Sequence, residues 1–237
     1  MVSLVILSFL GKTQTLLNKE KAKIYAIDIP GIFQQDKQGA YDKVLQKTRI
    51  LNKLATLEIY PPARAQLMFK YCTNCCFTPA NALKQFYFFD NNVVETDAMN
   101  IAKIYIFVKE GRQPINKLSA LKGKNIGART GMPYGNILKN TQFNIDYVDT
   151  IEQNIKKLAL GRIDAFIAYV PDAYNVFNKL NMKPLPHNKA KPLAIHPDRL
   201  VCKNVDHSLI STFNKNLNKL KENKNLKTLL GNSYIKP

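Results

Sequence analysis

Acidic residues are scarce in this chain of 237 residues: 17 Asp and Glu stand against 35 Lys and Arg, a net charge of +18. Such a charge attracts anionic solutes, membrane surfaces or nucleic acid. The basic residues are mostly Lys, spread along the whole chain and interleaved with Asn. No Arg-rich stripe, helix-turn-helix or zinc-finger spacing gathers them. The charge therefore reads as a compositional habit, and no nucleic-acid partner is expected.

Long apolar runs are missing too. None approaches the ~20 residues of a membrane span. Val2–Leu10 (VSLVILSFL) has the length of a signal peptide's apolar region, although no Lys or Arg precedes it and no clear small-x-small cleavage site follows. An export signal is the favoured reading, with residues 1–22 as the N-terminal segment; a buried strand is the other reading. Export would make the protein periplasmic or extracytoplasmic.

Catalytic signatures are absent. There is no Gly-x-Ser-x-Gly, no P-loop and no full Gly-x-Gly-x-x-Gly. His187, His196 and His207 stand alone, without the spacing of metal ligands or of a nucleophile with its base. No catalytic residue and no cofactor is expected. The four cysteines are Cys72, Cys75, Cys76 and Cys202. Cys72-x-x-Cys75 has zinc or redox spacing, but no second C-x-x-C or H-x-x-x-H completes a metal site, and none is expected. In an exported chain a disulfide within the cluster is expected; in a cytosolic one these would be small hydrophobes.

What is present is a globular composition, 46% hydrophobic and 22% charged, long enough for one large domain or two small lobes. Strand Lys23–Ile29 ends at Pro30-Gly31, and a helix from Gly39-Ala-Tyr41 to about Leu54 follows. Strand Leu57–Tyr60 stops at Pro61-Pro62, where the next helix starts. Strand Cys75–Thr78 leads through Pro79-Ala-Asn81 to a short helix, then to strands at Phe86–Phe89 and Ile101–Val108. This alternation implies parallel strands with helices on both faces.

A second series begins after Glu110-Gly111. Strand Asn125–Ala128 feeds a helix over Pro133–Lys139; strand Asn144–Tyr147 feeds a helix with Ile151, Ile155 and Leu158 on one face. Strand Asp164–Tyr169 feeds a helix opened by Pro171. Short strands at Leu193–Ile195 and Leu200–Cys202 come next, then helices over Ser208–Lys221 and through Leu226, Leu229 and Leu230. The chain thus reads as α/β, two Rossmann-like lobes with a central cleft: residues 23–107 plus 194–237, and residues 112–193. Ligands of open α/β sheets bind beyond the carboxyl ends of the strands, and two facing lobes can close over one by hinge motion.

Several segments appear in an order that resembles the bacterial extracellular solute-binding proteins of family 3. They are Gly39-x-Tyr41, Tyr60-Pro-Pro-Ala-Arg-Ala65, Tyr105-Ile-Phe-Val-Lys-Glu-Gly111, Leu121-Lys-Gly-Lys-x-Ile-Gly127, Arg129-x-Gly-x-x-Tyr-Gly135 and Leu158-Ala-Leu-Gly-Arg-Ile-Asp-Ala165. The resemblance spans roughly Lys23 to Tyr234. It implies the type II periplasmic-binding-protein fold and capture of a small polar ligand, amino-acid-like or anionic, for an ABC transporter permease, without catalysis and as a monomer. It also implies an Arg in Val94–Asn100 for an amino-acid carboxylate, and none is there; Met132 stands where Ser or Thr often follows Gly131. Both departures move the expected ligand away from standard amino acids.

The candidate ligand contacts follow. Arg129, Thr130 and Gly131 form a Gly-punctuated corner suited to an anion if a helix starts there. Arg64 lies one turn after Tyr60-Pro61. Tyr41, Tyr60 and Tyr134 could wall a cleft with amphipathic rings. Pro79 and Asn81 end a strand, and Asp172 could meet a ligand amine or simply stabilise a helix N-terminus. Two other classes remain open: a dehydratase- or lyase-type enzyme in the same cleft, and a basic nucleic-acid-binding protein.

Overall fold

The structure is a computed structural model that describes residues 20–89, 92–139 and 141–235. The apolar run Val2–Leu10 lies outside the described residues. The first half opens with strand β1 (Ala22–Ile27), whose apolar residues are buried on both faces, as a central parallel strand requires. After the Ile29–Phe33 turn, helix α1 (Ala40–Lys47) buries Tyr41, Val44 and Leu45. Strand β2 (Ala55–Tyr60), helix α2 (Pro62–Tyr71) and strand β3 (Cys75–Ala80) follow; β1 pairs in parallel with both β2 and β3. Pro62 is tolerated in the first turn of α2 because the N–H it lacks would have no intrahelical partner there.

The second half repeats the pattern. Strands β6 (Asn125–Arg129), β7 (Asn144–Val148) and β8 (Ala165–Val170) lie parallel with β6 in the middle. Helix α3 (Ile151–Ala159) starts from a capping box in which Thr150 accepts from the Gln153 N–H. Helix α4 (Asp172–Lys179) follows β8 directly, after a cis peptide bond at Val170-Pro171.

Two antiparallel strands join the halves: β5 (Asn100–Val108) and β9 (Ala194–Lys203). Strand β5 pairs with β9 over Asn100–Ile104 and with β8 over Lys103–Val108. Strand β9 pairs with β5 over Ala194–Asp198, then with β3 from Arg199 onward, while the short strand β4 (Val93–Glu95) covers its other edge. One continuous order results: β2-β1-β3-β9-β5-β8-β6-β7. Helices α5 (His207–Glu222) and α6 (Asn225–Leu230) return to pack on α1. Asn100 ties down the tail by donating to the Ser233 carbonyl at 2.8 Å and accepting from the Ile235 N–H at 2.7 Å.

Four sequence expectations are corrected. Phe86–Phe89 forms no strand, because the neighbouring edge of β9 is taken by β4 and β5. Its aromatic content is satisfied by ring packing instead: Phe86 meets His196 at 4.8 Å, and Tyr87 stacks on Phe89 at 4.8 Å. Nor does a helix follow Asn81; a turn occupies residues 84–86. Pro133–Lys139 holds only a 3-10 turn at Gly135–Leu138, since Gly131 and Gly135 both take positive φ, which an α-helix cannot accommodate. Lastly, the two short strands expected on either side of Pro197 are one strand, β9. The cysteines pair as Cys72–Cys75, within the expected cluster, and as Cys76–Cys202, which are cross-strand partners on β3 and β9.

Candidate functional site

The carboxyl ends of β1, β3 and β8 converge where the lobes meet. There they enclose a small cavity with Ile27, Pro79, Tyr169, Asp172, His196 and Asp198 in its wall. The cavity is about 10 Å³, on the scale of a single water position. The lobes are therefore closed. Hydrogen bonds cross the seam: Arg129 Nη2 donates to the Asp28 carbonyl at 2.8 Å, Asn175 Nδ2 to the Pro30 carbonyl at 3.1 Å, and Gln66 Nε2 to the Gly131 carbonyl at 2.5 Å. At Gly131 the backbones approach so closely that a Cβ would sit 2.5 Å from the Ala63 nitrogen. Only glycine fits that contact and its φ of 71° together.

The wall carries a connected polar group. His196 Nδ1 lies 2.8 Å from Asp198 Oδ1, and its Nε2 lies 3.1 Å from the Tyr87 hydroxyl. Tyr41, from α1, donates to Asp198 Oδ2. Both Asp198 oxygens are thus engaged, and burial holds the Tyr41 and Tyr87 hydroxyls well above their usual range. His196 and Asp198 are two apart on a strand, so they share a face. Facing them, Asp172 opens α4 and is 5% exposed. Burial first, then the nearby Asp198 charge, push its carboxyl up to about 7, while Arg129 opposes the rise.

The residues singled out from sequence fall into separate groups. Pro79 and Asp172 line the cavity. Tyr41 lies beneath it, held by Asp198, with its ring edge-on to Phe33. Tyr134 is buried behind Tyr169, stacked at 5.7 Å, and its hydroxyl accepts from the Arg129 N–H and donates to the Ile167 carbonyl. Asn81 is a turn residue: it accepts from the Leu83 N–H and donates to the Pro197 carbonyl. Arg129 and Gly131 lie on the seam, and Arg129 also donates through Nε to the Asp149 carbonyl at 2.9 Å. Thr130 is exposed and bonded to the Val148 carbonyl. Arg64 is exposed, its guanidinium 4.6 Å above the Tyr60 ring, and the Tyr60 hydroxyl donates to Glu58. Among the described residues no α-helix starts at the Arg129–Gly131 corner, so the helix-terminus basis for an anion there is removed.

Sequence reasoning set His196 aside as an isolated histidine and did not consider Asp198. Placing both outside the short strands Leu193–Ile195 and Leu200–Cys202 hid their shared face on β9. Among the described residues no group of His, Cys, Asp and Glu is arranged to hold a metal ion. No helix of the described residues is long and apolar enough to cross a membrane.

No known family profile matches the chain, and no curated protein matches it in sequence. Solved structures do match. The fold is that of the type II periplasmic-binding proteins. The ligand-binding core of GluR0 from Nostoc punctiforme, in complex with L-glutamate, superposes with a TM-score of 0.73 at 15% identity, covering 90% of this chain and 99% of that one. An amino acid ABC transporter substrate-binding protein from Streptococcus pneumoniae, bound to L-arginine, gives 0.67 at 17% identity, with coverages of 90% and 94%. An ancestral arginine-binding protein bound to arginine gives 0.62 at 16% identity, with coverages of 91% and 98%. This type II fold places the closed cavity between its lobes, where β5 and β9 cross.

Proposed function

We propose that the chain is an extracytoplasmic solute-binding protein that closes on a small polar organic solute and delivers it to an ABC importer. The observation that carries the reading is the cavity itself. It lies between two α/β lobes, at strand carboxyl ends, and the lobes are joined by two crossing strands and closed by hydrogen bonds. Such geometry traps a ligand by hinge closure. The structures it resembles, an amino acid ABC transporter substrate-binding protein among them, support it. The boundaries we adopt are residues 23–107 with 194–237 for one lobe and 112–193 for the other. Export directed by residues 1–22, a monomeric state and the absence of catalysis belong to the same reading.

Of the nominated contacts, we assign Pro79 and Asp172 to the ligand side and Arg129 and Gly131 to closure. A thermal-shift screen of amino acids, amines and organic acids tests the reading. A ligand at 100 times its dissociation constant adds about 2.7 kcal/mol of stability. A shift confined to one chemical class, with the compound recovered unchanged, is expected. Conversion of the compound would move the protein to the enzyme class; a flat panel on folded protein would remove the binding function.

A further inference from the structure

We propose that the cleft takes a small organic cation that carries no carboxylate, with Asp172 as its hydrogen-bonding anchor and Asp198 supplying a second negative charge across the cavity. The proposal rests on the solute-binding reading and narrows it to a ligand class.

The cavity wall supplies acidic side chains without a permanent cation. Asp172 and Asp198 line it, and among the described lining residues there is no Lys or Arg. The remaining wall is apolar apart from the His196 ring and the Tyr169 phenol. In a chain of net charge +18, carboxylates without cations at this one place run against the composition. The nearest sequence-nominated cations are committed elsewhere. The Arg129 guanidinium donates to the backbone carbonyls of Asp28 and Asp149, and Arg64 lies on Tyr60 at the surface. Among the described lining residues no Lys or Arg is left to receive a ligand carboxylate, and an incoming one would add negative charge beside two acids in a largely apolar box.

The second observation is the state of Asp172. It is more than nine-tenths buried and lies in the cavity wall. Among the described residues, no other residue donates a hydrogen bond to its carboxyl group. Asp198, by contrast, is fully used by Tyr41 and His196. Asp172 is therefore the group with acceptor capacity to offer. An ammonium or guanidinium entering beside it supplies the missing donors and cancels the repulsion between the two acids. In the closed form the cavity is about 10 Å³, so an occupied form holds the lobes further apart in proportion to the ligand.

Calorimetric titration of the full chain with matched pairs differing only in a carboxylate tests this: agmatine against arginine, cadaverine against lysine, with succinate as the anion. The expected result is at least tenfold tighter binding of the decarboxylated member of one pair, no binding of succinate, and at least a tenfold loss in Asp172→Asn. Equal or tighter binding of the amino acids, or binding of succinate, overturns the proposal and leaves the solute-binding reading standing. No heat with any compound, on protein that unfolds cooperatively, overturns both. The ligand pairs are compared on the unaltered chain, so the outcome does not depend on the variant folding.

Discussion

Burial makes the Asp172 proton a stability variable. Its carboxyl rises from 3.8 to about 7 in the folded chain, and that of Asp42 rises from 3.8 to about 6. Both hold their protons more tightly folded than unfolded. Their contribution to stability is therefore full below the unfolded value and is lost as pH rises toward the folded one. Asp172→Asn, which cannot ionise, should gain on the parent protein as pH rises from 4 to 7.5. Urea midpoints across that range check this; parallel curves would remove the buried carboxylate. At Gly131 the expected effect is on closure. Gly131→Ala adds a Cβ against the Ala63 backbone of the facing lobe and strains a φ of 71°. The chain should still fold, since the contact forms on closure, but the empty closed form should be disfavoured, and X-ray scattering without ligand should show a larger radius of gyration; an unchanged radius would mean that the Gly131–Ala63 contact does not set closure.

Single elements show where the sequence was readable. Helix α3 was plain from Ile151, Ile155 and Leu158, and its capping box gives a direct test: Thr150→Ala should cost about 1 kcal/mol in urea unfolding. Parallel strands were readable because burial on both faces leaves continuous apolar runs, as in Ala165–Val170. Phe86–Phe89 defeated the same rule, since an aromatic run records burial and not hydrogen bonding. Strand β9 defeated it from the other side. Its residues Ile195, Pro197 and Arg199 are not buried, and Pro197 argues against a strand on local grounds. The cost fell on the site: Asp172 was visible from its position after Pro171, whereas His196 and Asp198 needed the whole of β9 to be placed. Seam contacts such as Arg129 with Asp28 join residues 101 apart, and no local pattern encodes them.

At the scale of the molecule, the closed form is held by hydrogen bonds to a few backbone carbonyls. Arg129→Ala removes one, that to Asp28. Without ligand, this variant should shift toward the open form and show a larger radius of gyration in X-ray scattering; an unchanged radius would mean that Arg129 does not hold the seam. The Cys76–Cys202 bond acts on a different equilibrium. It closes a span of 126 residues, and replacing both cysteines by alanine should lower stability by about 2–5 kcal/mol, read from denaturant unfolding.

The placement of β9 also sets a timetable. This strand separates β3 from β5 in the middle of the sheet, yet its residues, 194–203, come late in the chain. As synthesis or export feeds the chain out from its N-terminus, β1, β2 and β3 emerge early and can pair with one another. The edge of β3 stays open until more than a hundred further residues have appeared. An open edge invites wrong partners, and pairing across so long a separation is slow. The first lobe is thus the first to be made and among the last to be finished. A nascent chain halted before Ala194 should remain protease-sensitive within residues 22–80, and releasing ten more residues should be what protects it.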